Sequence, residues 1–256
     1  QKFYSSNDNY FICLKNSFLL SYTGALHQKF VQKESVPVTG GIILLAGFVA
    51  IFYEVFYNFH LYLFLIFWIG FLSDSNLISS PKLRFLLQSI SLYALIYFTN
   101  LQISPTRVYF LDIFLENIFF SYLFTTFCLM IVVNGSNFID GLNGLVLSYY
   151  LMILIIILKF EFFNELNIEE YRIILFSYLL FILLIFNIFN QLYMGDNGSY
   201  LLGYIFSFLL ITIYQNNQNI SPFFIILLLW YPCFENLFSI IRKFRLKKSP
   251  SEADNK

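Results

Sequence analysis

The sequence predicts an all-α fold, a polytopic integral membrane bundle of about eight helical spans. Three observations carry that expectation. Hydrophobic residues make up 59% of the 256-residue chain and charged residues 12%, whereas soluble domains carry roughly 25% charged residues. The apolar residues gather into runs close to the roughly 20 residues, about 17 at the least, that a spanning helix needs. The basic residues, finally, are spread unevenly between alternate connections, as the positive-inside rule requires of a multi-pass chain.

The runs are taken in order. The first, 41–57, follows the polar stretch PVTGG (37–41). A short break at Asn58 and His60 parts it from 58–73, and the two are read as a tight hairpin. SDSNLISSPKLR (73–84) leads into the run 85–101, with Pro81 suited to a first helical turn. The runs 118–134, 144–160, 172–189, 199–215 and 221–241 complete the eight. On this division residues 1–40 form an N-terminal segment, 41–241 the transmembrane domain and 242–256 the start of a truncated loop. The chain opens on Gln1, and Lys15 and Asn16 interrupt the only apolar stretch near its start, so no signal-peptide pattern is read there. A fragment of a longer protein is expected.

Eight spans place both tails on one side. Twelve of the 15 basic residues lie in those tails or in the loops near 74–84, 135–143 and 190–198; only Arg107, Lys159 and Arg172 lie in the opposite connections. That excess assigns the first set to the cytoplasm. The polar motifs PVTGG, SDSNLISSPKLR, NGSNFIDGLNG (134–144) and YMGDNGS (193–199) all belong to this set. The outer loops hold acidic residues, as in EFFNELNIEEYR (161–172), but no comparable glycine-rich arrangement.

Several classes of function are excluded. Net charge is zero, so a nucleic-acid partner has no electrostatic footprint. Cys13, Cys128 and Cys233 form no CxxC pattern, and His27 and His60 stand far apart, so neither a disulfide framework nor a zinc site is indicated. No internal repeat supports an inverted-repeat transporter. The 34 Phe and 19 Tyr carry no functional assignment.

The candidate chemistry lies in carboxylates and amides at helix ends. Asp74, Asp140 and Asp196 each close or open a span in a different connection. Carboxylates at a membrane edge are costly and mark an ion or substrate pathway. Their oxygens, with those of amides, suit Mg²⁺, which takes one or two carboxylates plus substrate phosphates. Gly195, Asp196, Gly198 and Ser199 make a tight turn whose backbone N–H groups are able to hold phosphate, while Asn197 and Ser199 fit plain helix caps equally well. Asn134, Asn137, Asp140 and Asn143 are spaced by three, on neighbouring positions of a helix. Gly141 and Gly144 weaken that helix and admit a ligand to the backbone. Capping is the alternative for these amides. Lys82 and Arg84 fit membrane anchors or phosphate binders near Asp74. Glu235, before Arg242 and Lys243, reads as a structural partner of those cations.

Five stretches then carry a resemblance. HQKFVQKESVPVTGG, GFLSDSNLISSPKLRFLLQ, VNGSNFIDGLNGL, YMGDNGSYLLG and YPCFENLFSIIRKF resemble, in order, motifs of the polyprenyl-phosphate hexosamine-1-phosphate transferases, a branch of glycosyltransferase family 4. That group includes the lipid I-forming translocase and the enzymes that initiate O-antigen and teichoic-acid synthesis with GlcNAc-1-phosphate. The resemblance implies transfer of a sugar 1-phosphate from a UDP-sugar to a polyprenyl phosphate, with release of UMP, at the cytoplasmic face of a bacterial inner membrane. It implies a Mg²⁺ cofactor, with Mn²⁺ as substitute, bound by Asp196 and contacted by Asn137. Asp140 would organise the nucleotide and metal region, and Asp74 would be the base or an organiser of the attacking phosphate. Asn134, Asn143, Lys82, Arg84 and Gly195 would contact substrate. A homodimer is left open, as is the sugar. The full protein is expected to have ten or eleven spans, and the fragment to be inactive or impaired.

The chain departs from that pattern in three places. The family's paired aspartates stand here as Ser73-Asp74, its DGLDGL as DGLNGL with Asn143, and the chain stops at SPSEADNK, about where the family's histidine-rich loop is expected to begin. The readings kept beside the transferase are a proton- or cation-coupled transporter and an inactive relative.

Overall fold

A computed structural model describes residues 20–21, 36–55, 57–103 and 105–245. Most of the expected N-terminal segment 1–40, and the end of 242–256, lie outside these residues. Among the described residues ten helices follow one another: α1 Gly40–Phe52, α2 Tyr57–Asp74, α3 Pro81–Thr99, α4 Tyr109–Leu115, α5 Ile118–Ile139, α6 Leu145–Lys159, α7 Glu170–Ile188, α8 Gly195–Asn216, α9 Pro222–Leu228 and α10 Trp230–Arg245. A two-residue antiparallel pairing of Leu20–Ser21 with Val36–Pro37 precedes them. The all-α expectation holds, and each of the eight apolar runs is helical.

Local sequence accounts for the helix ends. Pro81 opens α3 behind Ser80, and Pro222 opens α9 behind Ser221, the position where a missing N–H costs nothing. Asn117 accepts from Phe119 N at 3.0 Å at the start of α5. Asn100, in left-handed backbone, ends α3.

Three features differ from the sequence reading. α5 does not stop near 134 but runs to Ile139. Its polar residues are tolerated because they bond back to the preceding turn: Asn134 Nδ2 to Met130 O at 2.9 Å and Ser136 Oγ to Val132 O at 2.7 Å. The run 221–241 is two helices bent by 67°, broken at Leu229, whose N–H bonds Ile225 O and Ile226 O. The short helix α4 was not expected; Asp112, within it, accepts from Thr106 and folds the preceding loop onto it.

By length and composition α5, α7 and α8 are able to cross a membrane alone, and the bent pair α9–α10 makes a fourth. α1, α6 and Phe59–Asp74 are shorter apolar helices. Burial separates the three long helices. The apolar window of α8 is 94% buried and that of α7 only 28%, so α8 is the axis of the bundle and α7 part of its rim. α1, α2 and α5 pack on α8. Aromatic rings fill the seams: Phe59 stacks on Tyr204 with centroids 4.6 Å apart, and Tyr150 on Phe206 at 4.4 Å. Each such pair adds about 0.5–1.5 kcal/mol beyond its burial.

This packing gathers the polar motifs at one end of the bundle. Gly40 N donates to Tyr193 O, Asp74 meets the start of α8, and Gly144 N donates to Asn187 Oδ1 at 2.5 Å. Residues at the other helix ends meet at the opposite end, where Arg172 reaches Glu54 and Arg107 reaches Gln218.

Candidate active site

Asp74, the last residue of α2 and one past its apolar run, meets the first turn of α8. Its Oδ1 accepts from Asp196 N at 2.9 Å; its Oδ2 accepts from Asn197 N at 3.0 Å and from Asn197 Nδ2 at 2.7 Å. A helix start leaves such N–H groups without partners and carries partial positive charge, so a carboxylate is well placed there. Gly195 makes the approach feasible. Its φ is +70°, and a Cβ there would lie 2.8 Å from Asp74 Oδ2. Burial and the neighbouring Asp196 push the Asp74 carboxyl up to about 7, against the three N–H donors that favour its anion.

Asp196 sits beside this clamp and faces an open cleft. Its Oδ2 accepts from Arg84 Nη1 at 2.7 Å and from Ser73 Oγ at 2.5 Å, while Arg84 Nη1 also donates to Ser73 Oγ at 2.6 Å. The ion pair is about one quarter exposed on each side. Ser73, one of the departures in the sequence, thus links cation to anion as a neutral relay. The cleft is lined by Ser73, Asp74, Asn76, Ile78, Ser79, Arg84 and Asp196, with a volume of about 370 Å³, within the usual span of small-molecule sites.

The other candidate residues do not line the cleft. Asp140 ends α5 and is half-buried. Loss of water, then the charges of Asp196 and Asp74, hold its carboxyl well above the usual range, so it shares their electrostatic environment. Asn137 donates Nδ2 to Tyr200 Oη at 3.1 Å, and Tyr200 stands one turn along α8 from Asp196. Asn134 donates to Gln88 Oε1 at 3.2 Å. Asn143 is exposed and donates to Asn190, tying the loop after α5 to the loop before α8. Lys82 is exposed and does not line the cleft. Glu235 pairs with the Tyr231 hydroxyl one turn back along α10.

Three residues of this region were missed from sequence. Gln88 follows Arg84 by four positions and Tyr200 follows Asp196 by four, a spacing that stacks side chains on one helix face; that signal was available. Asn197 fitted a plain cap as well as part of a phosphate-holding turn, and its contact with Asp74 was not foreseen. It bonds Asp74, and its Oδ1 lies so near Gly41 that a Cβ there would collide with it.

The donor set fits a hard cation. Asp196 contributes a carboxylate at an open cleft. Asn137 has its amide N–H₂ engaged by Tyr200, which leaves the amide oxygen as the end available for ligation. Among the described residues no group of three or more His, Cys, Asp or Glu gathers for a metal ion; a hard cation that takes one or two protein oxygens and completes its shell from phosphate and water needs no such group.

The family model "Glycosyl transferase family 4" matches residues 56–214, more than half of the chain and the segment that contains every candidate site residue. No curated protein matches the chain.

Proposed function

The chain belongs to glycosyl transferase family 4, and we propose that it transfers a sugar 1-phosphate from a UDP-sugar to a polyprenyl phosphate at the cytoplasmic face of a bacterial inner membrane. An oxygen of the lipid phosphate bonds to the β-phosphorus of the nucleotide sugar, the bond from that phosphorus to the bridging oxygen breaks, and UMP leaves. The products are a polyprenyl-diphosphate sugar and UMP; a hexosamine is the sugar the sequence resemblance favours, for initiating a cell-surface polysaccharide.

One observation carries the reading: a carboxylate, Asp196, and a guanidinium, Arg84, meet in a cleft at one end of an apolar bundle. Phosphoryl transfer needs positioning and neutralisation of anionic oxygens more than covalent help from the protein. Arg84 supplies a fixed cation for phosphate oxygens, and exposed Lys82 a second on the same helix start. Asp196, with the side-chain oxygen of Asn137, would hold Mg²⁺, and Mn²⁺ would serve in its place. The ion supplies a Lewis acid for the phosphate oxygens. Asp74 acts as an organiser rather than a base, because both its oxygens already hold the start of α8. Asp140, at the end of α5, organises the nucleotide and metal region, and the loop tied by Asn143 closes the nucleotide side.

A cation-coupled transporter would need carboxylates near the middle of the bundle; here Asp74, Asp140 and Asp196 share one end. The test is UMP release from a panel of UDP-sugars by membranes holding the full-length protein, with polyprenyl phosphate and Mg²⁺. Release that depends on both the lipid and the ion is expected. A well-folded protein that releases UMP from none of the sugars would overturn the reading.

A further inference from the structure

Beneath the cleft lies a second polar layer that the reaction scheme does not use. Gln88 projects from α3 one turn deeper than Arg84, and Tyr200 from α8 one turn deeper than Asp196, a step of about 5.4 Å. Gln88 is fully buried and Tyr200 is 3% exposed. Gln88 Oε1 accepts from Asn134 Nδ2 at 3.2 Å. On its other side Gln88 neighbours the Tyr200 hydroxyl, which accepts from Asn137 Nδ2 at 3.1 Å. The two amides of α5, one turn apart, are therefore held from two other helices by one glutamine and one tyrosine.

The layer is costly. Gln88 Nε2 is buried without a hydrogen-bond partner, and an unsatisfied buried donor costs about 1–3 kcal/mol. An apolar side chain of similar volume would avoid that cost and pack equally well between α3, α5 and α8. What it would lose is orientation. The amide of Asn137 has two different ends, and only the oxygen end ligates a cation. Tyr200 takes the N–H₂ end, and Gln88, beside the Tyr200 hydroxyl, accepts from the Asn134 turn of α5 below it.

We propose that Gln88 is a positioning residue for the transfer: acting through Tyr200 and Asn134, it turns the side-chain oxygen of Asn137 towards the cation held at Asp196. The inference rests on the reading of Asn137 as a cation contact, and the experiment separates the two. The full-length protein in detergent is titrated with Mn²⁺ by electron paramagnetic resonance, and UMP release is measured against Mg²⁺ concentration. The variants are Gln88→Met, Tyr200→Phe, Asn137→Ala and the double variant Gln88→Met with Asn137→Ala.

Residues that orient a metal ligand typically control about 10–100-fold in metal affinity. Gln88→Met and Tyr200→Phe are each expected to weaken Mn²⁺ binding about tenfold and to raise the half-saturating Mg²⁺ concentration by a similar factor. The KM for nucleotide sugar stays near that of the parent, and saturating Mg²⁺ restores most of kcat. In the Asn137→Ala background Gln88→Met adds nothing further. Tyr200→Phe, which removes one oxygen, carries the same test if Gln88→Met does not fold. If Asn137→Ala weakens Mn²⁺ binding but both Gln88→Met and Tyr200→Phe bind it as the parent does, Gln88 has no positioning role and the transferase reading stands. An undiminished effect of Gln88→Met in the double variant likewise overturns the inference. Parental Mn²⁺ affinity in Asn137→Ala removes Asn137 from the ion, and both readings of that residue fall.

Discussion

At the end of the bundle away from the cleft, Arg107 donates Nη2 to the carbonyl oxygens of Gln218 and Ile220, at 2.6 and 3.2 Å. Arg172 there donates to Ile51 O at 2.6 Å and pairs with Glu169 and Glu54. Glu165 accepts from Asn217 at 2.7 Å, and its backbone oxygen from Asn216 at 2.6 Å. At the cleft end Arg84 makes a contact of the same chemistry, but to Asp196 and Ser73, inside an open concavity. Both ends hold arginine, carboxylate and asparagine. The distal arginines close on backbone carbonyls and stitch loops to helix ends, so their charge is spent on the fold. The Arg84–Asp196 pair holds no loop in place and offers both charges to whatever enters. Backbone contact therefore separates structural charge from charge kept for a ligand, where residue type does not.

The contrast is broken most severely at Asp196. Asp196→Asn keeps the volume and removes the anion, and UMP release should fall by at least about 10²-fold, the scale of losing one preorganised electrostatic group. The melting temperature should hold, because the backbone N–H of Asp196 still reaches Asp74. Activity close to the parent's would place the reaction elsewhere.

Asp74→Ala mixes the two kinds of role. It strips acceptors from the N–H groups of Asp196 and Asn197, and a lost helix cap costs about 1–2 kcal/mol. A lower thermal midpoint is expected together with a loss of activity that added Mg²⁺ does not rescue. An unchanged midpoint would show that the clamp does not hold α8.

Arg172→Ala is the converse case. Its exposed ion pairs contribute little, but the bond to Ile51 O ties α7 to α1, and a modestly lower thermal midpoint is expected. Activity per folded molecule should match the parent's. A selective loss of kcat would break the division between the ends.

The smallest effect is expected at Lys82. It is exposed at the start of α3 and does not line the cleft, and Lys82→Ala should raise the KM for nucleotide sugar by no more than about threefold, an effect that shrinks in high salt. A loss as large as that of Asp196→Asn would move Lys82 into the cleft's own chemistry.

Much of this was legible in the chain. The eight apolar runs each became helix because a backbone in hydrocarbon has to satisfy its own polar groups, and a helix does so locally. Asp74, Arg84 and Asp196 were readable as candidates because each is a charge at the edge of an apolar run, and they line one cleft. The end of α5 was not legible: Ser136 falls in the expected loop 135–143, and stays helical because its side chain bonds a carbonyl one turn back. Nor was the break at Leu229, where the apolar pattern continues unaltered through the bend.

By itself, then, the sequence determined the helical class, the order of the spans and the set of charges at their ends, since these follow from local polarity and length. Only the tertiary structure decided how those charges pair. Asp74 became the anchor of α8, Ser73 the relay between Arg84 and Asp196, and Gln88 the link between two amides. Each of these contacts joins helices distant in sequence, and a hydrogen bond formed over ångströms depends on packing that no local pattern encodes.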